Sequence, residues 1–424
     1  MRTQITCRRV ALNQRLPLHS YSERQENRAH KEILYSQPPQ TYIYFLKRKK
    51  MEIALASTLA PMPMGWLSED VTRDNSWVIQ LNAREISGFK RALTHAKQLN
   101  KPLLSMSPED YPLPDSSKSV LQRAIEMTQS KWGFCLIKGF PVLEWSEADT
   151  RLAYWGMGMH MGVARPQNKA SDILNDVRSV VDQSNYYGKG GRGYNTNASL
   201  DFHIDFGDLV TLLCRRTAKS GGHSLITSTK AIYQEIIQTH PELKQTLHEP
   251  FYFSWQGASG LEDHEYNKCT LAGFKNAYFA FRSNLKNIIA AQRDFPEVPR
   301  LTVNQLKLLD LLEILYRDPK FCYSMQLEAG DLQFVNNYAV IHSRTAFEDF
   351  DSEDLKRHLL RLWLAIPGCQ PLPDEWAEPY KNTAPNAVRG GLRGNNVPDE
   401  FLRFEAKMAK FHEMNNEYYE RHPR

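Results

Sequence analysis

Apolar residues recur at helical spacing in several separate segments of the chain. One segment begins with Ser146-Glu147-Ala148-Asp149, which has the form of a capping box. This pattern predicts a helix that runs from Ser146 toward Gly158. The spacing also predicts five other helices. They are Arg84–Leu99, Ser117–Gln129, a helix from Ser228-Thr229 to about Gln238, Thr302–Tyr316 and a charged C-terminal helix over Asp399–Tyr419.

Other segments are rich in β-branched and aromatic residues and are too short for helices, so they are predicted to be strands. The predicted strands are Gly133–Lys138, Leu200–Cys214, Ala277–Arg282, Cys322–Leu327, Leu332–His342 and Arg357–Ile366. Helices that flank several non-consecutive strands indicate an α+β enzyme with a β-sandwich core.

The composition narrows the class of protein. The chain has 424 residues, of which 42% are apolar and 24% charged, so disorder along its whole length is excluded. No apolar run approaches the length of a membrane span, and no membrane partner is expected. Patterned sequence starts near residue 60, which predicts one folded domain over 61–424 and a basic, disordered extension or presequence over 1–60.

Positive charge is concentrated at the N-terminus. The first fifty residues contain eleven Lys and Arg against three Glu, whereas the rest of the chain is slightly acidic. No basic face interleaved with aromatic residues follows residue 50, so we expect no nucleic-acid partner. The six cysteines form no C-x-x-C pair, and this favours the cytoplasm. The residues before Glu23 are rich in Arg and contain no acid, which is also compatible with a mitochondrial presequence.

One glycine cluster imitates a dinucleotide-binding motif. Gly188-Lys189-Gly190-Gly191-Arg192-Gly193 satisfies G-x-G-x-x-G, but the residues after it favour a loop and then a strand. Because the pyrophosphate of a dinucleotide must meet a helix N-terminus, the cluster is interpreted as a flexible loop.

Three residues could form a metal site. His203 and Asp205 alternate in a predicted strand and would project to one face, where His342 from another strand could join them. Fifteen residues after His342, Arg357 and Arg361 share a face of the last strand. They could pair with acids such as Asp349 or Glu353, or they could bind the carboxylates of a ligand.

Together these segments resemble the taurine dioxygenase family of Fe(II)/2-oxoglutarate oxygenases, which includes clavaminate synthase-like enzymes. The resemblance covers roughly residues 60–370 in order and spacing. The matching segments are Phe202–Asp205, Cys214–Ser224, Gly330–Asn337, His342–Phe347 and the R-x-x-x-R of Arg357 and Arg361.

The resemblance implies a double-stranded β-helix, or jelly roll, with helices around it. It also implies that His203, Asp205 and His342 hold iron, that Ser224 and Arg357 bind 2-oxoglutarate, and that Arg361 contacts the substrate or the cosubstrate. Three protein ligands leave room on the metal for 2-oxoglutarate and O2. The expected reaction is hydroxylation of a small organic molecule, with succinate and CO2 as coproducts, although desaturation and cyclisation start in the same way.

Two other functions stay open at this point. A zinc hydrolase could use the same His, Asp and His residues, and a non-catalytic jelly roll could serve as an interaction module. The prime substrate and the oligomeric state, including a homo-oligomer, are not determined by these patterns. Loop residues that could contact the substrate are His160, Gln167, Asn168, Tyr194 and Asn197.

Overall fold

A seven-stranded sheet forms the centre of the protein. The computed structural model describes residues 63–180, 193–259, 262, 264–394 and 397–422, and the contacts delimit one compact unit at residues 61–424. The predicted extension over 1–60 and most of the glycine cluster lie outside the described residues.

Sixteen strands lie in the part of the chain that is described. They are β1 (Val78–Gln80), β2 (Phe134–Lys138), β3 (Val163–Arg165), β4 (Asn175–Val177), β5 (Leu209–Arg216), β6 (Ser220–Gly221), β7 (Ser224–Ser228), β8 (Pro250–Ser254), β9 (Tyr266–Thr270), β10 (Ala272–Lys275), β11 (Tyr278–Phe281), β12 (Cys322–Met325), β13 (Leu332–Asn336), β14 (Val340–Arg344), β15 (Phe347–Glu348) and β16 (His358–Ala365).

The helices are α1 (Ser68–Arg73), α2 (Ala83–Leu99), α3 (Asp115–Gln129), α4 (Glu147–Met159), α5 (Thr229–Thr239), α6 (Leu285–Asp294), α7 (Val303–Arg317), α8 (Ala377–Tyr380), α9 (Asp399–Phe411) and α10 (Glu417–Arg421). Among these described helices, none combines the length and the apolar character needed to cross a membrane.

The main sheet has the order β1-β2-β13-β5-β16-β3, and β4 also pairs with β16. Only β1 and β2 run parallel, and the other pairs of this sheet are antiparallel. A three-stranded sheet, β12-β7-β14, contributes Ile226 and Val340 to the same apolar cluster as Val210 and Trp363 of the main sheet. The two sheets therefore enclose a shared core, and the α+β class predicted from the pattern is confirmed.

Alternation along the strands places a second apolar cluster on the outer face of the main sheet. In β2, Phe134 packs in the inner cluster, whereas the next residue, Cys135, packs in the outer one. Residues of α2, α3, α4 and α9 complete the outer cluster. Burial on both faces explains why these strands are continuous apolar runs with little polar alternation.

Five helices lie close to their predicted positions, and four of them, α2, α4, α5 and α7, begin at a residue whose side chain caps the helix. The Oγ of Ser146 accepts a hydrogen bond from the amide of Asp149 at the start of α4. At α7, Thr302 and Gln305 form a reciprocal capping box. The sixth prediction was too long, since Asp399–Tyr419 is divided into α9 and α10 by a turn in which Glu413 has φ +53°.

Two predicted strands were wrong in their extent. The segment Leu200–Cys214 becomes a strand only at Leu209, so His203 and Asp205 precede β5. The segment Leu332–His342 is two strands, β13 and β14, which lie in different sheets and are separated by a turn that contains Asn337. The pair Asn336-Asn337 is a turn signal inside this segment. It lies between two apolar stretches that are buried along their whole length.

A segment after the last strand, residues 384–394, crosses back over the core and is called the C-terminal strap. The Nε of Arg389 donates to Oδ1 of Asp208 at 2.7 Å, and both side chains are almost fully buried. The hydroxyl of Tyr338 donates to the same oxygen at 2.6 Å. The amide of Gly391 donates to the carbonyl of Phe206 at 2.7 Å, so the strap is attached to the chain directly after Asp205.

We expect Arg389→Met to destabilise the fold strongly, because it leaves the buried carboxylate of Asp208 without its cation. The free energy of unfolding should fall by about 3–5 kcal/mol in urea denaturation. Arg403→Met, on the exposed side of α9, is the control and should change it by less than about 0.5 kcal/mol. Equal losses in the two variants would show that the buried ion pair does not anchor the strap.

Candidate metal centre and its cavities

The three predicted metal ligands lie together. The Nε2 of His203 is 3.9 Å from Oδ1 of Asp205, and the Nε2 of His342 is 3.5 Å from Oδ2 of the same residue. All three ligand atoms lie within 4.8 Å of one another. Two imidazoles and one carboxylate are a donor set that suits Fe(II), and they leave further coordination positions to small molecules.

Backbone hydrogen bonds bring the two histidines together. The amide of His203 donates to the carbonyl of His342 at 2.9 Å, and the amide of His342 donates back at 3.1 Å. This reciprocal pair joins an extended segment to β14 in place of a regular ladder. On the other side, the amide of Ile204 donates to the carbonyl of Ser283 at 3.1 Å. The ligand segment is thus fixed between two neighbours without being a strand.

His203 is prepared to bind a cation through one nitrogen. Its Nδ1 lies 2.9 Å from the carbonyl oxygen of Asp201, and a carbonyl can only accept, so Nδ1 carries the proton. The lone pair of Nε2 then faces Asp205. Burial, helped by the neighbouring His342, lowers the pKa of His203 to about 4. The neutral imidazole that a metal requires is therefore the form present at neutral pH.

Asp205 is kept ionised inside the protein. Burial by itself raises the pKa of this carboxyl, but Arg361 and a hydrogen bond with His342 outweigh burial and hold the pKa below its usual range. The Nη1 of Arg361 lies 3.3 Å from Oδ1 of Asp205. The Nε of Arg361 donates to Oε1 of Gln167 at 2.7 Å, which fixes the guanidinium beside the carboxylate.

A second group of metal-ligating residue types lies on the opposite face of β16. It consists of Glu147, Asp176 and His358. Arg151 is 2.5 Å from Asp176, and Arg215 is 3.0 Å from Glu147. Because two guanidinium groups already neutralise these carboxylates, we interpret the group as an ion-pair network.

One cavity beside the metal ligands is called the Arg357 cavity. It is lined by Val177, Tyr194, Leu200, His203, Asp205, Leu212, Ser224, Leu327, His342, Ser343, Arg344, Arg357, Leu359 and Arg361. The Oγ of Ser224 donates to Oε1 of Gln333 at 2.9 Å. The structure thus brings all six predicted site residues to the wall of a single cavity.

Arg357 is a buried cation without an acid partner in the described part of the chain. Its side chain is shielded by the ring of Phe347, and Nη1 has no hydrogen-bond partner there. Burial lowers its pKa to about 10. Neither acid named from the sequence pairs with its guanidinium: Asp349 accepts the backbone amide of Arg357, and Glu353 contacts Lys356. An anionic ligand would relieve the cost of this buried charge.

A second cavity, called the Arg282 cavity, opens on the other side of the ligands and shares Tyr194, Leu200, His203, Asp205 and Arg361 with the first. Its other lining residues are Gly193, Asp201, Ile204, Phe206, Ser254, Trp255, Gln256, Arg282, Asn284, Lys286, Asn287, Trp363 and Leu392. His203 and Asp205 therefore stand where two cavities meet, and a small molecule in each cavity could approach a metal held there.

The five loop residues suggested from the sequence separate into two groups. Tyr194 lines both cavities, and Gln167 holds Arg361. His160 and Asn168 are structural, since the ring of His160 bonds to the carbonyl of Tyr111 and Asn168 closes a local turn. Neither lines a cavity at the metal, while the carbonyl of Asn197 accepts the amide of Phe347.

Other residues of the site were missed from the sequence. Gln333, in the main sheet, accepts a hydrogen bond from Ser224, which lies in the three-stranded sheet. Arg344 donates to the carbonyls of Thr196 and Ala198, so it fixes the segment before His203. Arg344 stands two residues after His342 and shares its strand face, a signal that alternation could have supplied. Leu392 of the C-terminal strap also lines a cavity of the site. No pattern in the sequence near Leu392 indicates this position.

Comparison with known proteins gives one family and several relatives. Residues 98–363 match the sequence model of the taurine catabolism dioxygenase TauD, TfdA family. FR-33289 synthase of Streptomyces rubellomurinus is 28% identical over 321 residues, which are 73% of this chain and 91% of that protein. Taurine hydroxylase-like protein SAT17 of Stachybotrys chartarum is 23% identical over 310 residues, which are 70% of this chain and 78% of that one.

A solved structure shares the fold. The non-heme iron oxygenase OrfP, in complex with Fe and alpha-ketoglutaric acid, superposes with a TM-score of 0.51 at 14% identity. The match covers 68% of this chain and 94% of OrfP. The expected jelly-roll core with surrounding helices is confirmed.

Loss of one ligand should prevent metal binding. We expect His342→Ala to weaken Fe(II) binding by more than about 100-fold in anaerobic titration calorimetry, since even residues that only orient a ligand are worth 10–100-fold. Glu147→Gln, in the ion-pair network behind β16, is the matched control and should bind Fe(II) as the unaltered protein does. Weak binding by the control and full binding by His342→Ala would place the metal in the other group.

Proposed function

The chain belongs to the taurine catabolism dioxygenase TauD, TfdA family, and we propose that His203, Asp205 and His342 hold the iron of its active site. It is a non-haem Fe(II)/2-oxoglutarate-dependent dioxygenase that oxidises a small organic molecule. Its cosubstrates are 2-oxoglutarate and O2, and its coproducts are succinate and CO2. The prime substrate is unidentified.

One observation supports the assignment of the cosubstrate site. The Arg357 cavity combines the three metal ligands with a buried arginine that has no acid partner among the described residues. 2-Oxoglutarate has a chelating end and a distant carboxylate, so one molecule could reach the metal and satisfy Arg357 at the same time. Arg361 is already engaged by Asp205 and Gln167, which makes it the weaker candidate for that carboxylate.

Each protein group has a separate task in this proposal. Arg357 would bind the distal carboxylate through two parallel hydrogen bonds, and the hydroxyl of Ser224 would contact the same ligand. Arg361 would hold the free oxygen of Asp205 and face the prime substrate. Iron, when bound, supplies the redox chemistry that couples 2-oxoglutarate decarboxylation to the oxidation of a C–H bond. The ring of Phe347 keeps water from the Arg357 guanidinium and so strengthens its pairing with an anion.

A zinc hydrolase and a non-catalytic interaction module, the two other functions considered from the sequence, explain fewer of the features found at the site. A zinc hydrolase needs the three ligands and one water, and it leaves the buried Arg357 without a task. A non-catalytic module needs neither the ligands nor the two cavities that meet at them. Hydroxylation is the reaction we propose, because it is the direct outcome of oxidising a C–H bond.

We also propose that the protein acts in the cytoplasm and leave a homo-oligomer open. Cys135, Cys214, Cys269, Cys322 and Cys369 are free thiols, as expected in a reducing compartment. Fractionation of the source cells should find the protein in the cytosol with an intact N-terminus. An N-terminus cleaved between about residues 20 and 50 in an organelle fraction would assign the basic segment to import instead.

The two arginines should behave differently toward 2-oxoglutarate. Arg357→Ala removes one partner of a buried ion pair, which is worth about 3–5 kcal/mol, so the affinity should fall by about two to four decades. Arg357→Lys should recover only part, because a point charge lacks the planar fork. Binding can be measured through the visible charge-transfer band of the protein with Fe(II) and 2-oxoglutarate under argon.

Arg361→Ala is the matched comparison, since it removes the same side chain from the same cavity. It should keep the band within about tenfold in 2-oxoglutarate affinity while impairing oxidation of the prime substrate. If Arg361→Ala loses the band and Arg357→Ala keeps it, the roles of the two arginines are reversed.

A further inference from the structure

Arg282 is a second buried arginine beside the metal ligands, and neither the family resemblance nor the 2-oxoglutarate site gives it a task. Only 8% of its surface is exposed, and it lines the Arg282 cavity, across the ligands from Arg357. It is not part of the Arg357 cavity.

The backbone fixes Arg282 relative to the metal ligands. Its amide donates to the carbonyl of Leu271 at 2.7 Å, and the next residue, Ser283, accepts the amide of Ile204 at 3.1 Å. Asn284 then pairs with His203 in a β-bridge. Arg282 is thus two residues from the partner of a metal ligand, and extended alternation gives Arg282 and Asn284 the same face. Both line the cavity.

The surroundings of the guanidinium are apolar. Its Cζ lies 4.2 Å from the ring centre of Phe253 and 5.4 Å from that of Phe206. Nη1 donates to Oδ1 of Asn267 at 2.9 Å. No carboxylate forms an ion pair with Arg282 in the ranges that the structure describes. The charge is therefore held beside two aromatic rings and met only by neutral groups, the amide of Asn267 and the thiol of Cys269, which is costly unless an anion joins it.

The other buried arginines show that this arrangement is selective. Arg165, Arg361 and Arg389 each pair with a carboxylate, and Arg344 donates to two backbone carbonyls. Arg357 and Arg282 remain, and each lines one of the two cavities at the metal. If the first binds the carboxylate of the cosubstrate, the second has the same chemistry on the side left for the substrate.

The acids of the Arg282 cavity do not neutralise this charge. Asp205 is a metal ligand paired with Arg361, and Asp201 lies 4.0 Å from Arg317. An anion that enters the cavity would therefore meet a guanidinium that forms no ion pair with any carboxylate of the described residues. The rings of Phe206 and Phe253 hold the plane of the guanidinium, so a planar, two-point contact with an oxyanion is available.

We propose that Arg282 is a specificity-determining residue that binds an oxyanion of the prime substrate, a carboxylate, sulfonate or phosphonate, and that the enzyme oxidises organic anions. This inference rests on the proposed function, because it assigns the Arg282 cavity to the substrate. The anion anchors one end of the molecule, and a C–H bond elsewhere in the molecule is presented to the metal.

Small probes can test the proposal without the true substrate. The full-length, metal-free protein is titrated with propanoate, propane-1-sulfonate, propylphosphonate, propanamide and propan-1-amine, and binding is followed by saturation-transfer NMR and calorimetry. We expect at least one oxyanion to bind better than the neutral amide and the cationic amine. The best of the three anions identifies the type of oxyanion.

Two variants remove the charge in different ways. Arg282→Met should weaken binding of that oxyanion at least about tenfold, the usual value of a lost charged hydrogen bond. Asn267→Asp should weaken it equally, because it places a carboxylate at the hydrogen-bond partner of Nη1 and leaves Arg282 in place. Arg282→Lys should retain part of the affinity. Arg300→Met, at an exposed arginine, is the control and should bind as the unaltered protein does.

The charge-transfer band with Fe(II) and 2-oxoglutarate tests the proposed function separately from the role of Arg282. All four variants should keep the band, which also shows that they fold. If the unaltered protein lacks the band, the proposed function fails, whatever the probes do. If the band is present but the amide binds as well as every oxyanion, or Arg282→Met binds oxyanions normally, the substrate assignment is overturned. Loss of the band in Arg282→Met alone would assign Arg282 to 2-oxoglutarate and overturn it as well.

Discussion

Two backbone hydrogen bonds between His203 and His342 are the constraint on which the site depends. They attach an extended segment to β14, and so they place two imidazoles with ring centres 4.5 Å apart. Neither residue of the pair can move without breaking both bonds. Because the bonds are made by main-chain atoms, the geometry does not depend on which side chains occupy the rest of the segment.

Buried charge organises what surrounds this pair. Arg361 keeps Asp205 ionised. Arg389 forms a buried ion pair with Asp208, three residues further along the chain. Arg357 and Arg282, in contrast, carry charges that no described carboxylate balances. A fold tolerates such residues when a ligand supplies the missing anion, and their position in two separate cavities suggests two anionic ligands.

The C-terminal strap extends the site beyond the part of the chain that matches the family. The family match ends at residue 363, yet Leu392 lines the Arg282 cavity and the amide of Gly391 holds the carbonyl of Phe206. Gly391 has φ +87°, and a Cβ there would meet the ring of Pro166 at 2.8 Å, so the close approach requires glycine. Changes in the strap could therefore alter substrate preference without touching the metal ligands.

The sequence by itself predicted five of the helices closely, the α+β class and three residues that could hold a metal. Helix caps such as Ser146 act within four residues, and the ligand types were recognisable from their order along the chain. The ends of the strands were predicted less well. In Leu332–His342, the pair Asn336-Asn337 is a turn signal between two apolar stretches, but it does not tell that the two strands belong to different sheets. Only the tertiary structure decided that His203 precedes its strand and that Gln167 and Asp205 engage Arg361. It also decided that Arg282 lines a cavity with His203 and Asp205 and has no carboxylate partner among the described residues. Those relations join residues as much as 194 positions apart, and no local pattern encodes whether a buried charge will find a partner at that distance.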